Sequence, residues 1–133
     1  MKTRFRFEKL EVWQQARTIN HSVYRLTKTF PRTELFAMTS QTRRAATSVS
    51  ANIAEGSGRN SDKDFAHFLE QSYGSLMEVA SFVFLALDEG YTTETDLESL
   101  LAEIEVLAKR IASLNRSLVV ATSKTPFARR PPP

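Results

Sequence analysis

The chain has 133 residues, of which 41% are hydrophobic and 25% charged, and its net charge is +3. That is enough for one domain with a real core and too little for two. With no cysteine in the sequence, disulfides, thiolate metal sites and a cysteine nucleophile are excluded. No apolar run approaches the roughly 18 residues of a membrane span, and the basic start leads into Glu8-Lys9-Leu10-Glu11, not into the apolar stretch of a secretory signal. A reducing cytoplasm is the expected compartment.

Charge is distributed unevenly. Residues 1–60 hold eleven Lys/Arg against four Asp/Glu, residues 61–105 hold Lys63 against eleven acids, and residues 106–133 hold six bases and no acid. Such a chain presents basic and acidic surfaces, suited to a polyanion, to head-to-side self-association, or to solvation alone.

Four apolar stripes with helical spacing follow one another. The first is Val12, Ala16, Ile19, Val23, Leu26, Phe30, and Pro31 stops it. The second, from an expected N-cap at Thr33, is Leu35, Thr39, Thr42, Ala46, Val49, Ile53, with Gly56 as its expected stop and many small residues that allow close approach. Ser61-Asp62-Lys63-Asp64 reads as the cap of the third, whose stripe runs from Phe65 through Leu76 and Val83 to Leu87 and ends at Glu89-Gly90. Thr93 caps the fourth, with Leu97, Leu101, Ile104, Ala108, Ile111, Leu114 and Leu118 as its stripe. Helices of roughly 22–28 residues, about 33–42 Å long, joined by short links, predict an all-α, up-down-up-down antiparallel four-helix bundle. The expected organisation is a basic segment at 1–7, the bundle at 8–120, and a disordered Pro/Arg-rich tail at 121–133.

The pattern exceeds what one bundle needs. Residues 82–87 are six consecutive apolar positions, which point all round a helix, so Phe82, Phe84 and Leu85 are candidates for an oligomer interface. Phe36 and Leu100, off the main stripes, add further apolar area. On the second helix Gln41, Arg44, Ser48, Asn52 and Glu55 form a polar ribbon that Ser75 and Glu78 could face. It is either a ligand surface or a satisfied hydrogen-bond network, and the network reading is favoured for Asn52, Glu55 and Glu78. The connection Gly56-Ser57-Gly58-Arg59-Asn60-Ser61 resembles an anion cradle, and equally a plain turn. Asp64-x-x-His67 has the spacing of half a carboxylate-bundle metal site, but Thr18 stands where His21 would need its acid, so no metal and no cofactor are expected. No serine nucleophile with a recognisable base is offered. Candidate phosphate contacts are Arg17, Arg25, Lys28, Arg43, Arg44, Arg59, Lys109, Arg110 and Arg116. Aromatics sit mostly at core spacing, which gives no indication of base-stacking platforms.

Phe7-Glu8-Lys9-Leu10-Glu11-Val12-Trp13, Phe30-Pro31, the run from Gln41 to Arg59 containing Asn52-Ile53-Ala54-Glu55-Gly56, and Gly74-Ser75-Leu76-Met77-Glu78 resemble the 23S rRNA intervening-sequence proteins. The resemblance covers about residues 5–118 and leaves out Arg129 and Arg130. It implies a bundle that assembles as a closed homopentamer, similar in shape to the nucleic-acid-binding accessory protein of diversity-generating retroelements. The resulting expectation is a non-enzymatic homo-oligomer binding structured RNA or serving as a scaffold. The alternative is a module docking to a reverse transcriptase or another protein without touching nucleic acid. No membrane and no small-molecule substrate are expected as partners.

Overall fold

The computed structural model describes residues 1–124, with side chains through Ala121. Its architecture rests on four helices: α1 (Glu11–Thr27), α2 (Ser40–Ser57), α3 (Asp62–Asp88) and α4 (Glu94–Lys124). A 3-10 turn, Arg6–Lys9, precedes α1. Among the described residues there is no strand, so the fold is all-α.

Side-chain hydrogen bonds fix how the helices pair. Arg43 Nε donates to Thr27 Oγ1 at 2.8 Å and Thr47 Oγ1 to Asn20 Oδ1 at 3.3 Å, so α1 and α2 run antiparallel. Ser72 Oγ donates to the Val49 carbonyl at 2.8 Å, and the Ser48 and Ser75 hydroxyls lie 2.9 Å apart, giving the same sense to α2 and α3. Asn115 Nδ2 donates to the Ala66 carbonyl at 2.8 Å between α3 and α4. The square closes where Arg110 Nη1 donates to Gln15 Oε1 at 2.9 Å and Ser22 Oγ to Glu103 Oε1 at 3.3 Å. Between the helices lies one core, built around Ile19, Val23, Val49, Ile53, Leu69, Leu76, Val79, Leu107 and Ile111.

Two of the expected caps form as read. Ser61 Oγ accepts from the Asp64 amide at 3.0 Å, and Thr93 Oγ1 from the Asp96 amide at 3.1 Å. At the far end of α3, Gly90 takes φ +76°. Its amide donates to the Leu87 carbonyl at 2.9 Å, and Tyr91's to that of Ala86 at 2.9 Å. This is a Schellman closure, in which glycine avoids the Cβ penalty of the left-handed region.

Elsewhere the structure corrects the pattern. The second helix does not start at Thr33: Arg32–Glu34 is a 3-10 turn and Leu35–Thr39 a wide π turn, broken at Ala37 (φ −122°, ψ −105°) before α2 begins at Ser40. The break turns Leu35 out of the core stripe and leaves Phe36 93% exposed. Nor does Gly56 stop α2. It is buried inside the helix and Gly58 is the C-cap, because a Cβ at Gly56 would meet Phe68 Cβ at 2.7 Å and Phe65 Cδ1 at 2.9 Å. Glycine there serves close packing of α2 on α3. On α4 it is Leu100, only 3% exposed, that faces the core beside Ile104 and Leu107, while Leu101 is half-buried toward α3. Residues 121–124, expected in the tail, continue α4. The rest of that expected tail, with Arg129 and Arg130, lies outside the described residues.

Candidate nucleic-acid interface

The nine bases singled out by charge pattern do not form one patch. Arg17, Arg25 and Lys28 share the outer face of α1, because steps of eight and three return to one side of a helix whose opposite side carries Val12, Ile19 and Val23. At 1.5 Å per residue this strip is about 16 Å long. Arg43 and Arg44 adjoin it on α2. Arg43 is partly engaged, with its guanidinium 4.6 Å from the Tyr24 ring centre and its Nε on Thr27, whereas Arg44 is exposed. Lys109 and Arg116 lie elsewhere, lining a groove of about 490 Å³ between α4 and α3 with Tyr73 and Met77.

Three of the nine are neutralised locally. Arg59 pairs with Glu55 at 3.2 Å, Lys109 with Glu105 at 3.7 Å, and Arg110 with Glu11 at 2.8 Å. Arg17 sits 5.7 Å over the Trp13 ring, which holds the side chain without cancelling its charge. Arg17, Arg25, Lys28, Arg43, Arg44 and Arg116 thus have no carboxylate partner among the described residues.

The polar ribbon divides as well. Asn52 Nδ2 donates to the Ser48 carbonyl at 2.9 Å and to Ser48 Oγ at 3.0 Å, and with Ser75 these groups form a satisfied network on the α2–α3 seam. Glu55 is not part of it. Its side chain is 57% exposed and reaches Arg59 one turn on. Gln41, Arg44 and Glu78 are exposed, and Arg44 does not reach Glu78.

The glycine-containing connection reads as a turn rather than a cradle. Its Gly58 and Arg59 amides are spent on the Glu55 and Gly56 carbonyls at 3.1 Å each. Arg59's guanidinium lies 4.8 Å from the Phe68 ring centre as well as on Glu55. His67 is exposed with its Nε2 3.2 Å from Gln71 Nε2, and no group of three or more His, Asp or Glu side chains among the described residues could hold a metal ion.

Sequence reasoning marked residues 1–7 as a basic segment but missed that it docks on the bundle. Glu8's carboxylate accepts from the Arg4 amide at 2.8 Å and the Phe5 amide at 2.7 Å, and these bonds hold it below the usual carboxylate range. Arg6 Nη1 donates to the Ser57 carbonyl at 3.0 Å with its guanidinium 5.2 Å from the Phe65 ring centre. The segment therefore docks on the end of the bundle where α2 turns into α3, and adds Lys2, Arg4 and Lys9 to the basic surface. Its three Lys/Arg within Lys2–Arg6, interleaved with Phe5 and Phe7, were the available signal.

Among the surplus apolar residues, Phe82 is half-buried against the core, so it is not an open interface residue. Phe84 is 50% and Leu85 46% exposed. Ahead of α2, Leu35 and Phe36 overhang a groove of about 720 Å³ whose walls include Tyr24, Arg44, Ala51 and Asn52.

Fold and surface together define an all-α four-helix bundle with unpaired bases along α1 and apolar side chains on more than one outer face. The chain belongs to the 23S rRNA-intervening sequence protein family, whose model matches residues 8–113. Among solved structures it is similar to a protein of the S23 ribosomal protein family from Bacteroides thetaiotaomicron, itself described as of unknown function. The TM-score is 0.72 at 24% identity, over 78% of this chain and 97% of that one. At that identity the likeness bears on the fold. Comparison with curated proteins gives no match.

Proposed function

We propose that this chain is a non-enzymatic, self-assembling bundle, a closed homopentamer of the kind the family resemblance implies, that binds nucleic acid, structured RNA above all. The observation that carries the binding is the set of bases without carboxylate partners on adjoining helices: Arg17, Arg25 and Lys28 on α1, Arg43 and Arg44 on α2. Cations of this kind, all but the half-buried Arg43 exposed, release counterions when they meet phosphates, so affinity follows salt. Assembly is supported by apolar exposure on different helices, Phe36 ahead of α2 and Phe84 with Leu85 on α3. Two unlike patches suit a head-to-side contact, the kind that forms a ring when the rotation between copies closes.

The test is fluorescence anisotropy with a labelled RNA hairpin and a DNA duplex at 50 and 200 mM salt. Binding that weakens steeply with salt is expected, and no binding at the lower salt overturns the reading. The groove beneath Phe36 favours a second reading, docking of a protein partner such as a reverse transcriptase. Partners that survive nuclease treatment of a pull-down, together with absent RNA binding, would decide for it.

A further inference from the structure

The N-terminal segment does more than add charge. Phe5 is 60% exposed, although its backbone is tied down by Glu8 and the neighbouring Arg6 is anchored on Ser57 and Phe65. Its ring stacks on Phe7 with centroids 5.7 Å apart and planes 5° from parallel. Phe7 in turn packs edge-on against Trp13 at 4.8 Å, and Arg17 covers Trp13 at 5.7 Å. The result is a continuous ladder of three rings and a guanidinium, with an exposed ring at its end. A ring half out of water on a mobile terminus would be unremarkable. One held by its own backbone hydrogen bonds and a stacked partner is preorganised to receive something flat.

Around the ladder bases outnumber acids. Lys2, Arg4 and Lys9 are exposed and have no ion-pair partner among the described residues. The two acids of the segment, Glu8 and Glu11, are committed to backbone amides and to Arg110 respectively. A planar group bearing a phosphate thus meets a stacking face with free cations nearby.

We infer that the Phe5–Phe7 stack is a base-stacking site for an unpaired nucleotide, with Lys2, Arg4, Lys9 and Arg17 placed to contact the adjoining phosphates. This rests on the nucleic-acid reading above and sharpens it: the ligand is the single-stranded part of the nucleic acid, since inside a duplex both faces of a base are covered by the neighbouring pairs. Arg17 joins the ladder to the α1 strip, so a loop could stack on Phe5 while its stem follows α1.

The experiment compares the full-length chain with its Phe5→Ala and Phe5→Trp forms, using a labelled 12-nucleotide oligouridylate and an RNA duplex of equal length at 50 mM salt. The mass of each form is measured by light scattering. Phe5→Ala should weaken oligouridylate binding about ten-fold, the scale of one lost base–aromatic stack. It should leave duplex binding and assembly mass unchanged, and Phe5→Trp should keep or tighten the single-strand affinity. Trp13, the sole tryptophan of the natural chain, should change its emission on adding oligouridylate. Equal single-strand affinity for wild type and Phe5→Ala overturns the site, as does a Phe5→Ala effect accompanied by a change in assembly mass. Duplex binding without oligouridylate binding overturns the site and leaves the basic face standing. Absence of both overturns the nucleic-acid reading itself.

Discussion

Two glycines inside helices should respond to alanine in opposite directions, and the difference isolates the packing of α2 on α3. Helix propensity alone favours Ala over Gly by about 0.5–1 kcal/mol. At Gly74, in mid-α3, a Cβ would have nothing within 4 Å, so Gly74→Ala should realise that gain. At Gly56 the same atom would lie 2.7 Å from Phe68 Cβ and 2.9 Å from Phe65 Cδ1. Phe68 Cβ is fixed to the α3 backbone and the Phe65 side chain is buried, so relief requires the two helices to move apart. Overpacking of that kind costs about 1–3 kcal/mol. Gly56→Ala should therefore be destabilising by up to about 2 kcal/mol net of the propensity gain. The gap between the two variants, in which propensity largely cancels, should be about 1–3 kcal/mol, or several degrees in Tm. Parallel urea melts followed by far-UV circular dichroism measure it. Equal stabilisation by the two substitutions would refute the claim that α2 and α3 touch at Gly56. A destabilising Gly74→Ala would mean that another chain lies against that bare stretch of α3.

Arg25→Glu combined with Lys28→Glu removes two exposed, unpaired bases from α1. Melting should be nearly unchanged, while RNA affinity falls and the salt slope drops by about two, one for each phosphate contact. Ser61→Ala deletes the α3 cap and should cost about 1 kcal/mol in a denaturant melt. Glu8's carboxylate is held below its ordinary value of 4.5, so its grip on the Arg4 and Phe5 amides is present above that pH and lost as pH falls through the lowered value. Acidification below about pH 4.5 should release the segment and red-shift Trp13 emission, and Glu8→Gln should abolish that transition without changing the far-UV spectrum.

Apolar period and capping chemistry carried most of the fold. Ser61 and Thr93 cap as read because a cap is a four-residue device whose partners are all local. The α1 stripe held from Val12 to Val23 because its spacing is regular. The helix ends at Thr27, however, where Thr27 Oγ1 bonds back to the Val23 carbonyl at 2.8 Å, and Phe30 is buried from the turn before Pro31 rather than from the helix. The start of α2 did not hold, since the wide turn at Leu35–Thr39 depends on tertiary packing and the apolar spacing there suits an unbroken helix equally well. Gly56 misled for a related reason. A glycine that ends a helix and one that admits a neighbouring helix look alike until Phe65 and Phe68 are placed beside it.

The surface was less legible than the core. Charge counts found Arg17, Arg25 and Lys28. They could not tell that Arg59, Lys109 and Arg110 would be consumed by acids one turn away or on another helix. Stripe reasoning placed aromatics by helical period, so it had no means of seeing Phe5, which lies ahead of the first helix and is fixed by Glu8's hydrogen bonds and by stacking on Phe7.

The most direct test is sedimentation velocity of the full chain with a labelled RNA hairpin, recorded at protein and label wavelengths at 50 and 200 mM salt. The account predicts protein sedimenting as an assembly of several 15.1 kDa chains, with the hairpin travelling with it at the lower salt and largely released at the higher. A hairpin that sediments alone at 50 mM salt, whatever the mass of the protein, would contradict it.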